Sequence, residues 1–276
     1  MPPVVSIITV SYNAETEIEQ TIRSVLNQTY LDYEYVFVDG ASNDGTVAII
    51  ESYRQQFEAK GISYRVTSEK DRGIYDAMNK GVHQACGKWI LMLNAGDCLA
   101  DSQVMADVFS SGDFDGEIVY GDVILKQVCG RKSYYKYMEP KPLEAIQNAL
   151  PFCHQSVFVP RDLMCRYGFD TSFRIAADYN FFSQAYTAGA VFAYVPRAIS
   201  VYDLTGVSSA NPEKLLKEYA IIHAAFYPKV KQPEPPRVSG FMCAVKKCIK
   251  WLLPDMVYSP TRGWSTDISK VLQKSK

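Results

Sequence analysis

VVSIITV (Val4–Val10) runs into Ser11-Tyr12-Asn13, and the same arrangement of an apolar run closing on polar residues returns twice. Tyr35–Val38 closes on Asp39-Gly40, and KWILML (Lys88–Leu93) closes on Asn94-Ala95-Gly96-Asp97. Continuous runs of this length, rich in β-branched residues, predict strands buried on both faces. Working outward, Ile18, Ile22, Val25 and Leu26 keep helical spacing, and Thr46–Phe57 reads as a helix with Asn43 and Asp44 available to cap it. Ile62–Thr67 reads as a further strand. Ile74, Ala77, Met78, Val82 and Ala85 again fall on one helical stripe. Strand–helix alternation at this rhythm predicts βαβ units and a parallel sheet. Ligands of such sheets bind beyond the carboxyl ends of the strands. The polar clusters Ser11-Tyr12-Asn13, Asp39, Asp71 and Asp97 fall at those ends.

After about residue 110 the rhythm loosens. Ile118–Leu125, Ser156–Val159 and Val191–Val195 read as strands, and Asp178–Thr187 and Lys214–Phe226 as helices. PKVKQPEPPR (228–237) reads as a linker. Beyond it, Phe241, Met242, Val245, Ile249 and Leu252 form an apolar stripe, with Lys246, Lys247 and Lys250 mostly off it. A basic amphipathic stretch over 237–253 fits either an interfacial membrane contact or packing on protein.

The 276 residues carry 29 Lys+Arg against 30 Asp+Glu, a balance that disfavours nucleic-acid binding by bulk charge. Seven cysteines without a CxxC pair argue against a zinc site, and the start MPPVVSIITV lacks the basic region of a secretory signal. No stretch of about 18 uncharged apolar residues is present to span a bilayer. The expectation is a cytoplasmic protein, peripheral on the inner face of the plasma membrane if the 237–253 stretch binds lipid. GxGxxG, GxxxxGK[ST] and GxSxG are all absent, which disfavours dinucleotide binding, P-loop phosphoryl transfer and the hydrolase elbow. A sheet ending in carboxylates and amides instead suits a nucleotide whose phosphates a metal neutralises.

VSIITVSYNAE (5–15), SVLNQTY (24–30), VDGASNDGT (38–46), SEKDRGIYDAMNKG (68–81), GKWILMLNAGD (87–97) and FRIAADYNFF (173–182) together resemble the inverting family 2 glycosyltransferases of GT-A fold. The wording is most similar to bacterial surface-polysaccharide enzymes of the colanic-acid type. The resemblance implies an α/β, Rossmann-like, mostly parallel sheet flanked by helices. Residues 1–110 would form the nucleotide-sugar-binding half, 111–227 the acceptor-side half, and 228–276 a Pro-rich linker and helical tail. It further implies a nucleotide-sugar donor, a divalent cation (Mg²⁺ or Mn²⁺), and a glycan acceptor, with polyprenyl-diphosphate-linked chains among the candidates. A sugar-phosphate nucleotidyltransferase is the competing enzyme class, but the Gly-rich segment it needs after the first strand is replaced by SYNAETE. An inactive scaffold would be expected to lose Asp97 and Asp178, and both are present.

By this resemblance Tyr12 and Asn13 lie at the nucleotide base, unless Tyr12 only fixes the first turn. Asp39 matches the aspartate that accepts a base N–H such as uracil N3–H; an Asx turn before Gly40 is the alternative. Asp71 falls near base and ribose, with Arg72 or Lys80 offered to phosphates. Asn94-Ala95-Gly96-Asp97 stands in place of the DxD motif but departs from it, with Asn first and the spacing one longer. Asp97 is then the metal ligand, and Asn94 a hydrogen-bonding partner of ribose. Asp178 aligns with the base that deprotonates the acceptor hydroxyl, although a helix-capping aspartate would look the same. His154, in His154-Gln155-Ser156, is placed near the diphosphate, the metal or the acceptor. Tyr202–Ser208 (YDLTGVS) resembles a segment that closes over the site.

Overall fold

The computed structural model describes residues 2–110, 114, 117–204, 212–230 and 264–273. The 237–253 stretch, most of the linker, and residues 205–208 of the expected closing segment lie outside these.

β1 (Val5–Ser11) and β2 (Tyr33–Asp39) are buried along their whole length. Side chains of a strand alternate between faces, and here both faces are covered. Ile7, Tyr35 and Phe37 enter one core with α1 (Ile18–Leu26), α2 (Thr46–Ser52) and α3 (Arg54–Ala59). Ile8, Val10, Val36 and Val38 enter another with α4 (Ile74–Gln84). β3 (Ser63–Ser68) and β4 (Trp89–Met92) complete a parallel set in the order β3-β2-β1-β4. The helix expected over 46–57 is two helices that break at Tyr53, whose N–H bonds Ile50 O while its own carbonyl accepts from Phe57 N, keeping Phe57 buried.

The sheet then continues with mixed polarity. The two-residue β5 (Cys98–Leu99) leads into α5 (Val104–Phe109) and the hairpin β6 (Ile118–Cys129)–β7 (Lys132–Met138). β8 (Val157–Pro160) pairs antiparallel with both β4 and β6, which joins the later strands to the parallel set. α6 (Arg161–Tyr167) and α7 (Ala177–Thr187) precede β9 (Phe192–Asp203), which lies parallel to β6 and takes β5 antiparallel at its far end. β9 therefore runs eight residues beyond the strand expected to end at Val195. α8 (Pro212–Phe226) packs on α7. Among the described C-terminal residues, Ser265 bridges to Tyr135 and α9 (Ile268–Leu272) lies against β7. No helix among the described residues is long and apolar enough to cross a membrane.

Candidate active site

Ser11, Asp39 and Ser68 are level with one another at the ends of β1, β2 and β3. Asp39 is fully buried, and both of its oxygens are occupied. Oδ1 accepts from Ser11 Oγ (3.0 Å) and Ser42 Oγ; Oδ2 accepts from Ser42 N (2.8 Å) and Ser68 Oγ (2.7 Å). This carboxylate thus ties three strand ends together. The following loops are stitched to each other as well: Asn43 N donates to Asn13 Oδ1 (3.0 Å), and Ala14 N to Thr46 Oγ1 (2.7 Å). Asn13 and Ala41 sit at φ of +49° and +61°, a conformation costly outside glycine and kept here by those bonds. The Asn13 side chain is therefore part of the scaffold of this turn.

Tyr12 is 66% exposed and lies beside Gly40. A Cβ on Gly40 would stand 3.3 Å from Tyr12 Cδ2 and 2.5 Å from Asp71 Oδ2. The missing side chain lets an aromatic ring and a carboxylate meet above the strand ends, a surface that suits a nucleotide base. Arg72 and Lys80 are held by neighbouring carboxylates: Arg72 pairs with Asp76 at 2.9 Å, and Lys80 with Glu69 at 2.7 Å.

The Asn94–Asp97 turn is clasped by α1. Gly96, at φ +99°, donates its N–H to Thr21 Oγ1 (3.0 Å) and accepts at its carbonyl from Gln20 Nε2 (3.0 Å). Pairing of Cys98 with Val201 brings Asp97 to Asp203, whose N–H donates to Asp97 Oδ1 at 3.0 Å. Asp97 is only 4% exposed, and burial pushes its carboxyl up to about 7. The Asp203 N–H, the His154 ring and the Gln155 side chain work against that rise, while the Asp203 charge adds to it. Lys126 pairs with Asp203 at 3.1 Å.

Asp178 occupies the first turn of α7, two residues past its N-cap Ala176. Its Oδ2 lies 3.1 Å from His154 Nδ1, and its Oδ1 accepts from Tyr179 N (2.8 Å) and more weakly from Tyr75 OH (3.3 Å). A ring that donates Nδ1–H to a carboxylate presents, when neutral, a lone pair at Nε2. His154 Nε2 is buried without a hydrogen-bond partner, and so is Asn94 Oδ1. Both unanswered polar atoms can still bond a ligand. The apolar cavity bordered by His154, Met92, Val157 and Phe182 holds about 10 Å³, room for one water. A cavity of this size admits nothing larger than water, so any larger ligand has only the open surface above the strand ends.

Asp97, His154 and Asp178 form one group and Tyr12, Asp39 and Asp71 another, with Asn94 beyond the end of β4, the neighbour of β1. The sequence reading missed Gln155, Asp203 and Tyr75, although all three fall in segments it had singled out. Among the described residues no three His, Cys, Asp or Glu side chains converge closely enough to cage an ion. A buried carboxylate beside a second one, with an unpartnered imidazole nitrogen nearby, nevertheless suits a divalent cation that takes the rest of its shell from phosphate and water.

The family described as Glycosyl transferase family 2 matches residues 6–174. The chain is 31% identical over 217 residues to a PGL/p-HBAD biosynthesis glycosyltransferase of Mycobacterium tuberculosis, covering 77% of this chain and 82% of that one. It is 38% identical over 95 residues to the putative teichuronic acid biosynthesis glycosyltransferase TuaG of Bacillus subtilis, 34% of this chain and 36% of that one. Its fold matches S. aureus TarS 1-349 in complex with UDP-GlcNAc at a TM-score of 0.63 and 19% identity, over 95% of this chain and 75% of that one. The mannosyltransferase PcManGT from Pyrobaculum calidifontis, in complex with GDP-Man and Mn²⁺, matches at 0.61 and 18%, over 100% and 73%. The fold is GT-A, and the chain belongs to the family 2 glycosyltransferases.

Proposed function

We propose that the enzyme moves a sugar from a UDP-sugar to a hydroxyl of a growing glycan by single displacement with inversion. The observation that carries this reading is Asp178, held by His154 Nδ1 at 3.1 Å in the group that contains the buried Asp97. Asp178 takes the proton of the acceptor hydroxyl as that oxygen attacks the anomeric carbon. His154 orients the carboxylate. Tyr12 packs against the base, with Asp71 beside it. Asp39 keeps the platform in shape and meets the base N–H by exchanging a bond with Ser42 or Ser68. Asn94 Oδ1 accepts from a ribose hydroxyl. Asp97, with Asp203 and His154 alongside, would hold Mg²⁺ or Mn²⁺, which neutralises the charge of the departing diphosphate when bound.

The acceptor we infer is a lipid-linked surface glycan, in keeping with the names of the mycobacterial and Bacillus relatives. The basic amphipathic sequence 237–253 would meet such an acceptor at the inner face of the membrane. The test is nucleoside-diphosphate release from a panel of UDP-, GDP- and dTDP-sugars with Mn²⁺ or Mg²⁺. One donor is consumed, EDTA stops the reaction, and Asp178→Asn slows it by about 10²-fold or more while UDP binding persists. Full turnover in excess EDTA, or by Asp178→Asn, would refute the reading.

A further inference from the structure

Glu218 lies on α8, is only 7% exposed, and has no Lys or Arg partner among the described residues. Its carboxylate is filled by backbone instead. Oε1 accepts from Arg174 N at 2.9 Å; Oε2 accepts from Ile175 N and Ala176 N, each at 2.9 Å. These three residues lead directly into α7. Helices leave their first N–H groups unpaired and commonly cap them with a Ser, Thr, Asp or Asn side chain. The N-cap here is Ala176, which has no oxygen to offer. A carboxylate from a helix 42 to 44 residues away in sequence instead holds the backbone that enters α7.

Two of these residues are also held by the segment around the start of α4. Tyr75 OH donates to Ile175 O (2.6 Å), and Arg174 Nη1 donates to Arg72 O (2.6 Å). Tyr179 and Tyr219, the residues that follow Asp178 and Glu218, pack with ring centroids 4.4 Å apart. The turn that carries Asp178 is thus clamped between α4 and α8, and Glu218 is the charged jaw. Asp178 itself makes no hydrogen bond to Glu218, so any effect of Glu218 on the reaction passes through the backbone of 174–176.

We propose that Glu218 is the positioning residue for Asp178, fixing the start of α7 so that the Asp178 carboxylate stands against His154 and the acceptor hydroxyl. This rests on Asp178 being the base. Small displacements of a reacting group cost about 10- to 100-fold in rate, and none of the groups assigned to the donor is bonded to Glu218.

The experiment compares wild type, Glu218→Gln, Asp178→Asn and the double variant in the full chain. The readouts are turnover on the nucleotide-sugar panel, UDP affinity with Mn²⁺, and amide hydrogen exchange of residues 174–176. The expected result for Glu218→Gln is turnover lower by about tenfold or more, with UDP affinity kept within about twofold and faster exchange at those amides. The double variant should be no slower than Asp178→Asn alone. Glu218→Asp, which keeps the charge on a shorter reach, carries the same readouts if the Gln variant does not fold. Wild-type turnover in Glu218→Gln, an equal loss of UDP affinity, or a double variant slower by the full Glu218→Gln factor would overturn the positioning role and leave the base standing. Undiminished turnover in Asp178→Asn would remove the base and the positioning role together.

Discussion

At the residue scale, Asp97 shows how burial and chemistry point the same way. Its carboxyl is pushed up to about 7 because burial removes the water that would stabilise its charge, and the Asp203 N–H, His154 and Gln155 offset this only in part. Folding raises this pKa above its ordinary value of 3.8, so Asp97 costs stability as pH rises through that window. Asp97→Asn should accordingly gain in urea midpoint relative to metal-free wild type between pH 5 and pH 8. The same variant should bind UDP at least about tenfold more weakly in Mn²⁺ while binding metal-free UDP unchanged. Equal Mn²⁺-dependent binding by both proteins would remove Asp97 from the proposed metal site. Asp97 and Asp178 stand out in sequence as candidates because their motifs surround them. The four bonds on Asp39 and the unpartnered Nε2 of His154 were not legible there, since partners such as Ser68 and Asp178 arrive from distant parts of the chain.

At the element scale, turns place the chemistry. The Asn94–Asp97 turn depends on Gly96, whose φ of +99° is open to glycine and costly for alanine. Space is not the obstacle, because the nearest atom to an added Cβ is Glu17 Cβ at 3.8 Å. Gly96→Ala should therefore cost about 1–3 kcal/mol of stability through backbone strain alone. It should also weaken Mn²⁺-dependent UDP binding by shifting Asp97. Denaturant unfolding and calorimetry check both; an unchanged unfolding midpoint would show that the turn carries no strain. β1, β2 and β4 were readable as continuous apolar runs. β7 escaped notice because KSYYKYM is a half-buried strand with lysines along it, and β5 is too short to leave a pattern. The anchor of the residues entering α7 escaped for a different reason: its oxygen atoms belong to α8.

At the scale of the whole molecule, strand order brings distant segments to one edge. β1 lies between β2 and β4, so the Tyr12–Asp39–Asp71 platform adjoins the Asn94–Asp97 turn. β9 then returns beside β6 and takes up β5, setting Asp203 against Asp97. The parallel half of this plan follows from βαβ rhythm, whereas the mixed half follows from long-range pairings that no local pattern encodes. On the reading proposed above, one base, Asp178, serves the acceptor and the diphosphate leaves toward Asp97, which makes the transfer a single displacement. The decisive measurement is ¹H NMR of the anomeric proton during early turnover of an α-linked nucleotide-sugar. The account predicts that the transferred or released sugar first appears as the β anomer, whereas an α product formed first would contradict it.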